Sequence, residues 1–329
     1  MRLGQSEHEF LRRAPQTATA STGRAQLQKT LKGPIHCNGI GLHSGSNVAL
    51  TLEPGQPDSG IVFIRTDLPA DKAEIRADWR SVVDTRLCTV VANQHGAQIG
   101  TVEHLMAALA GSEIDNAIVR VNHAEVPAMD GSAEPFVFLI ECAGIVEQAK
   151  PRRAIQVLRP VSVGNDGRNA SLAPAAAARF SFEIDFDNPA VARQELSVTL
   201  SQDSFKNQIC RARTFGFAKD AEVLRAQGLA RGASLDNAVV VGRDNKVLND
   251  GGLRYDDEFV RHKMLDSVGD LYLAGGPICG HYRGRRAGHR LNNQLLRALF
   301  ADQRAWAYTW LDQAQGMAAE DETRLAANA

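Results

Sequence analysis

Three side chains able to bind a metal or move a proton recur at four-residue spacing in Arg-His-Lys-Met-Leu-Asp-Ser-Val-Gly-Asp-Leu, residues 261–271. Wound as a helix at about 100° per residue, this stretch carries His262, Asp266 and Asp270 on one flank. Met264, Val268, Leu271 and Tyr272 fall on the other. The apolar flank explains itself by burial; the polar flank needs another reason. A divalent metal held by the imidazole and the nearer carboxylate supplies one, because both are good short-range ligands for Zn²⁺. Taken alone, a solvated helix face with an incidental histidine would read the same way.

A second segment shifts the balance. Val-Glu-His-Leu-Met-Ala-Ala-Leu-Ala-Gly at 102–111 aligns without gaps on Val-Arg-His-Lys-Met-Leu-Asp-Ser-Val-Gly at 260–269. Val, His, Met and Gly coincide at a constant offset of 158 residues. Two copies of one α+β unit, facing each other through these helices, would bring His104 and His262 to a single ion. Asp266 then completes three protein ligands, and three ligands with an open fourth position mark a catalytic rather than a structural zinc site.

Glu103 adjoins His104 and points about 100° away from it. It suits a general base at the side of the ion, or else a first-turn glutamate favoured by the helix dipole. His289 follows a glycine at the start of a further helix. Asp270 is placed to pair with it, which would raise the imidazole pKa and make a general acid; a surface histidine is the alternative. Lys263 neutralises an anionic substrate or lies in solvent. Thr214 and Phe215 fit a donor and an apolar platform, though Phe215 suits a core equally well.

The elements that must position these groups are strands and short helices. Strands are expected at 47–52, 60–65, 87–92 and 116–121, and a helix from Val102 with Thr101 as N-cap and Gly111 as stop. The Gly-rich turn 38–45 presents His43, and Glu125 to Ser132 form a tight loop. A helix at 135–144 precedes Lys150-Pro151-Arg152-Arg153, which reads as a domain boundary. Beyond it come strands near 154–163, 170–174, 179–186 and 196–200, and helices near 202–210 and 219–227. The strand 237–241, the 261–271 helix, a strand near 277–282 and a last helix from Leu291 complete the second half. Residues 1–24 are expected to be a disordered extension and 313–329 a flexible tail. Domain I would then span 25–150 and domain II 151–312.

Composition narrows the function classes. The chain has 329 residues, 44% apolar and 23% charged, which suits a globular protein with room for two cores. Its net charge of −1 gives no electrostatic case for nucleic acid. No segment has the roughly 20 apolar residues of a membrane span. Cys37, Cys88, Cys142, Cys210 and Cys279 are scattered, odd in number and lack any Cys-x₂-Cys, as expected of reduced thiols in the cytoplasm.

Six stretches together carry a family resemblance: 39–45 (Gly-Ile-Gly-Leu-His-Ser-Gly), 101–105 (Thr-Val-Glu-His-Leu), 129–133 (Met-Asp-Gly-Ser-Ala), 211–217 (Arg-Ala-Arg-Thr-Phe-Gly-Phe), 257–266 (Asp-Glu-Phe-Val-Arg-His-Lys-Met-Leu-Asp) and 288–293 (Gly-His-Arg-Leu-Asn-Asn). In this order and spacing the chain, from about 28 to 305, resembles the UDP-3-O-acyl-N-acetylglucosamine deacetylases, zinc amidases of lipid A biosynthesis in Gram-negative bacteria. The resemblance implies hydrolysis of the 2-acetamido group of a UDP-linked 3-O-acylglucosamine. His104, His262 and Asp266 would hold Zn²⁺, with Fe²⁺ as the alternative ion. Glu103 would be the base, His289 the acid held by Asp270, and Thr214 an oxyanion donor. Phe215, Lys263 and Asp220 would lie on the substrate side, with His43 near the substrate and Leu87 and Cys88 close to the metal.

The implied fold is α+β: two similar domains of layered sheets and helices, helical layers sandwiched between sheets, each with an insert. The inserts would fall near 55–72 and 219–249, the second a βαβ unit with Val239, Val240 and Val241 along an apolar passage for the acyl chain. The protein is expected to act as a monomer. A metal amidohydrolase with another N-acyl substrate, or an inactive nucleotide-sugar binding protein, are the rival readings; intact Glu103 and His289 argue against the second.

Overall fold

The computed structural model describes residues 25–312, so the expected extension 1–24 and tail 313–329 lie outside the described residues. The strands pair in two sets that meet near residue 152. In the first set, Ile35–Ile40, Asn47–Pro54, Ala117–Val121, Ile61–Arg65 and Glu74–Arg76 form a five-stranded sheet in that order. In the second, Arg153–Val157, Val161–Asn165, Arg168–Ala173, Ala178–Asp185, Arg193–Thr199, Ile278–Arg285 and Trp306–Trp310 form a seven-stranded sheet. Among the described residues no strand pair joins one set to the other. Leu27–Leu31 pairs with Ile145–Pro151, so the Lys150–Arg153 segment is ordered structure rather than a solvated linker. Arg152 is buried there, its guanidinium paired with Asp115 at 2.8 Å and Glu113 at 3.3 Å.

Seven α-helices lie among the described residues: α1 (Ala70–Ala73), α2 (Glu103–Gly111), α3 (Glu134–Ala143), α4 (Gln202–Gln208), α5 (Ala218–Ala226), α6 (Glu258–Tyr272) and α7 (His289–Ala301). Helix α3 packs on the strand Ile35–Ile40, and α6 and α7 pack on strands of the seven-stranded sheet. The central helices α2 and α6 pack on each other, giving sheet, helix, helix, sheet as the order of layers. Helix α6 is buried almost all the way round, with only Arg261 and Lys263 partly accessible. The two-flank pattern thus separates two buried surfaces, and the solvated-face reading of His262, Asp266 and Asp270 falls away because each is 3% exposed.

Gly269 sets how closely the central helices approach. A Cβ there would lie 1.9 Å from the Glu103 carbonyl oxygen and 3.0 Å from the Ala107 nitrogen, both backbone atoms of α2. Only a residue without a side chain allows this contact. The halves are joined again at Trp79, whose ring stacks on Phe300 of α7 at 5.1 Å and whose backbone N–H donates to the Leu273 carbonyl at 2.9 Å.

Three expectations shift. Residues 55–72 are no insert: Ile61–Arg65 is an inner strand of the five-stranded sheet, and the separate small sheet is Val82–Asp84, Val90–Ala92 and Gln98–Ile99. The strand expected at 87–92 therefore begins only at Val90, leaving Leu87 and Cys88 in a turn. Thr101 does not cap α2; it takes a left-handed φ of 58° and donates its hydroxyl to Glu125 Oε1 at 3.1 Å, so that Val102 becomes the N-cap. A βαβ unit is present, though its first strand precedes residue 219 and Val239 and Val241 are fully buried core residues. Phe215–Phe217 and Val239–Val241 pair in parallel, with α5 in the connection.

Replacing Gly269 by alanine should force α2 and α6 apart and cost about 3 kcal/mol of stability. Urea denaturation of Gly269→Ala checks this, and an unchanged midpoint would contradict the close-approach reading.

Candidate metal centre and active site

The local sequence places each candidate ligand by a contact outside the triad. At the start of α6, Glu258 is 0% exposed and accepts from Arg213 through the backbone N–H (2.9 Å), Nε (2.8 Å) and Nη2 (3.0 Å). This buried, bidentate pair is the strong form of ion pair. It fixes the 211–217 segment against α6, so that the Ala212 carbonyl accepts from His262 Nδ1 at 3.0 Å. With Nδ1 holding the proton, Nε2 of His262 is the lone-pair nitrogen and faces inward. His104 comes from the first turn of α2, which the Gly269 contact holds beside α6.

The three groups converge. His262 Nε2 lies 3.3 Å and His104 Nε2 3.6 Å from Asp266 Oδ1, and the imidazole centroids are 4.9 Å apart and nearly perpendicular. One ligand atom from each of His104, His262 and Asp266 falls within 4.8 Å of the others. Asp266 Oδ1 and His104 Nδ1 are buried without a hydrogen-bond partner. A buried carboxylate oxygen without a donor is costly, and a cation among these atoms would remove the cost. Burial holds the His262 pKa down to about 4, so the ring is neutral and able to ligate. Burial alone would raise the Asp266 carboxyl; His262 and the Lys263 ammonium outweigh it and keep the group well below the usual range. Lys263 Nζ lies 2.5 Å from Asp266 Oδ2, so its charge faces the ligand carboxylate rather than solvent.

Two further groups flank the triad. Glu103 is buried, and its Oε2 accepts the Thr89 backbone N–H at 2.9 Å. Desolvation raises its pKa, opposed by the nearby His289 and His104. His289 Nδ1 lies 2.9 Å from Asp270 Oδ2. Burial would lower the imidazole pKa, but the Asp270 carboxylate reverses this and lifts it to about 9, so the ring is cationic at neutral pH. Asp270 also accepts from Asn292 Nδ2 (2.8 Å) and from the Thr89 hydroxyl (2.6 Å).

The other sequence candidates divide. The Phe215 ring stands 6.3 Å from His262 and 4.9 Å from Phe259, so it is at once a site wall and a core residue. Thr214 is half-buried, and its backbone bridges Gly131 and Val239. His43, Leu87 and Cys88 line one cavity of about 480 Å³, together with Val90 from the small sheet, Leu224 of α5 and Leu229. Burial raises the Cys88 thiol pKa to about 12, so it stays protonated. Asp220 is exposed on α5, and no contact ties it to the triad.

Sequence reasoning missed Thr89, Asn292 and Glu125. Asn292 stands three positions after His289 on α7, so helical spacing was a usable signal. Glu125 accepts the backbone N–H groups of His43 and Ser44, each at 2.8 Å, and ties the Gly-rich turn to Thr101. Thr89 had no signal, because its partners lie on two different helices.

Comparison with known proteins gives the family of the chain. The family model for UDP-3-O-acyl N-acetylglycosamine deacetylase matches residues 28–301. A protein of Chromohalobacter salexigens named UDP-3-O-acyl-N-acetylglucosamine deacetylase is 52% identical over 281 residues, covering 85% of this chain and 92% of its own. Proteins of the same name from Idiomarina loihiensis and Haemophilus influenzae are 49% and 50% identical, each covering 88% of this chain and 95% of their own. Half of the residues are thus shared over nearly the full length of these relatives, and the chain belongs to the UDP-3-O-acyl N-acetylglycosamine deacetylase family.

Proposed function

We propose that this chain hydrolyses the N-acetyl group of a UDP-3-O-(3-hydroxyacyl)-N-acetylglucosamine, releasing acetate and the free amine, the committed step of lipid A biosynthesis. The observation that carries the reading is the convergence of His104, His262 and Asp266 from the two halves of the chain, with Asp266 Oδ1 left without a donor. His104, His262 and Asp266 would hold a divalent cation, Zn²⁺ or Fe²⁺. When bound, such an ion polarises the amide carbonyl and acidifies water.

The remaining steps fall to this chain's own side chains. Glu103 takes the proton of the attacking water; its Oε2 is fixed by Thr89, which leaves Oε1 for that task. His289, kept cationic by Asp270, gives a proton to the departing amine nitrogen. Thr214 supplies a donor toward the developing oxyanion. Lys263 holds Asp266 ionised and in place. Phe215 offers its face to the sugar, and the cavity lined by His43, Leu87, Cys88 and Leu224 takes the acyl chain. Asp220 is a remote substrate-side candidate. Two domains, residues 25–150 and 151–312, each supply part of the site, and a single protomer contains all of it, consistent with a monomer. No helix among the described residues is long and apolar enough to cross a membrane.

Acetate release from the 3-O-acylated substrate, compared with its non-acylated analogue, tests the assignment. A strong preference for the acylated sugar is expected, and equal turnover would favour an amidase with another substrate. Glu103→Ala should keep the metal and lower kcat by about 10²-fold or more, whereas Asp266→Ala should lose metal stoichiometry. A Glu103→Ala enzyme with undiminished turnover would remove the base.

The acid and base set the pH dependence. His289 acts while protonated, so kcat/KM should fall as pH rises through its pKa of about 9. Asp270→Asn should bring that alkaline limb down toward the ordinary imidazole value of about 6.5. The same pairing contributes stability that is full below about 6.5 and lost as pH climbs through about 9. A pH–rate profile unmoved by Asp270→Asn would contradict the pairing.

A further inference from the structure

Thr89 lies in the connection between the first two strands of the small sheet, between Cys88, which lines the cavity, and the strand Val90–Ala92. It is 2% exposed, and all three of its polar groups point into the catalytic layer. The backbone N–H donates to Glu103 Oε2 at 2.9 Å, and the carbonyl accepts from Val102 N–H at 3.4 Å. The hydroxyl donates to Asp270 Oδ1 at 2.6 Å. One residue therefore bonds both a side chain at the start of α2 and a side chain near the end of α6.

We propose that Thr89 is a positioning residue that locks the Glu103 and Asp270 carboxylates in fixed relative orientation, so that base and acid are held in register across the seam. The reasoning is one of counting donors. Asp270 Oδ2 accepts from His289 Nδ1 and Asn292 Nδ2, whereas the Thr89 hydroxyl is the donor that Oδ1 receives. A carboxylate held at one oxygen can rock about its Cβ–Cγ bond; held at both, it cannot. Rocking of Asp270 would move the imidazole bonded to it. The short O–H···O⁻ distance is that of a charge-assisted bond, the stronger kind. Glu103 is tied through the Thr89 main chain, so a side-chain substitution leaves that contact in place and isolates the hydroxyl. The same geometry connects the cavity wall at Leu87 and Cys88 to both groups through adjacent peptide bonds.

The inference rests on the acid and base assigned above, and the test separates the two. Thr89→Val keeps the shape and removes the donor; Thr89→Ser keeps the donor. Expected are a fall in kcat of about 10- to 100-fold for Thr89→Val with KM and metal content unchanged, and near-normal kcat for Thr89→Ser. In protein labelled with ¹⁵N-histidine and freed of metal, the His289 Nδ1–H resonance should be protected and downfield in the native chain and in Thr89→Ser. It should move upfield and exchange faster in Thr89→Val. That signal reads the lock whether or not His289 is the acid: a normal native signal that weakens in Thr89→Val with no change in kcat would keep the lock and overturn its catalytic consequence. An unchanged signal in Thr89→Val, or equal loss in Thr89→Ser and Thr89→Val, would overturn the lock itself. If Thr89→Val does not fold, Thr89→Ser against Thr89→Ala makes the same comparison, since those two differ only by the hydroxyl; equal kcat and equal signals would overturn the proposal.

Discussion

Close contact between two helix backbones governs this molecule. Helix α6 meets α2 where Gly269 faces the Glu103 carbonyl and the Ala107 nitrogen, with no room for even a methyl group. Everything proposed for the site depends on that spacing. His104 is one residue from the contact and His262 two turns away, so a shift of an ångström between the helices would separate the imidazoles. Packed cores resist such shifts because they are close-packed and stiff. The Trp79–Phe300 stack pins the same seam further out.

Charge is arranged around the seam with equal economy. Glu103, Asp266 and Asp270 bring three carboxylates into a buried layer, and Lys263 and cationic His289 face two of them. With all three carboxylates ionised, the chain's own groups leave one negative charge in excess. A divalent cation suits that remainder better than a proton would, and its arrival would draw down the elevated pKa of Glu103. The Arg213–Glu258 pair stands apart from this balance; it is a fully matched ion pair whose effect is to fix the Ala212 carbonyl that orients His262. Outer contacts of this type commonly set ring orientation in metal sites.

Much of this was legible in the sequence, and the reasons differ by element. The His262, Asp266 and Asp270 spacing reads directly because helix period is local, and the 102–111 echo of 260–269 pointed to paired helices. Strands such as 47–54 and 117–121 announce themselves by alternation. What could not be read depends on distant partners. The helix start at Thr101 looked like a cap, yet its hydroxyl is taken by Glu125, 24 residues on, and the backbone turns left-handed instead. The first insert was expected near 55–72 only from the family resemblance, whereas the Ile61–Arg65 strand, itself legible as a strand, pairs in parallel with Ala117–Val121 inside the five-stranded sheet. Arg152 looked like linker charge because burial of a guanidinium requires Asp115 and Glu113 to be brought to it. Thr89 carries no pattern at all.

The distribution of the three candidate ligands along the chain also bears on how the protein is made. His104 belongs to the first sheet-and-helix set, while His262 and Asp266 follow about 160 residues later, after five of the seven strands of the second sheet have been synthesised. A ribosome-bound chain that has folded only its first part presents a lone imidazole, which grips metal feebly. Contacts so remote in sequence form late and slowly. A cation held by all three residues would therefore be captured only once both halves of the chain are made and packed together.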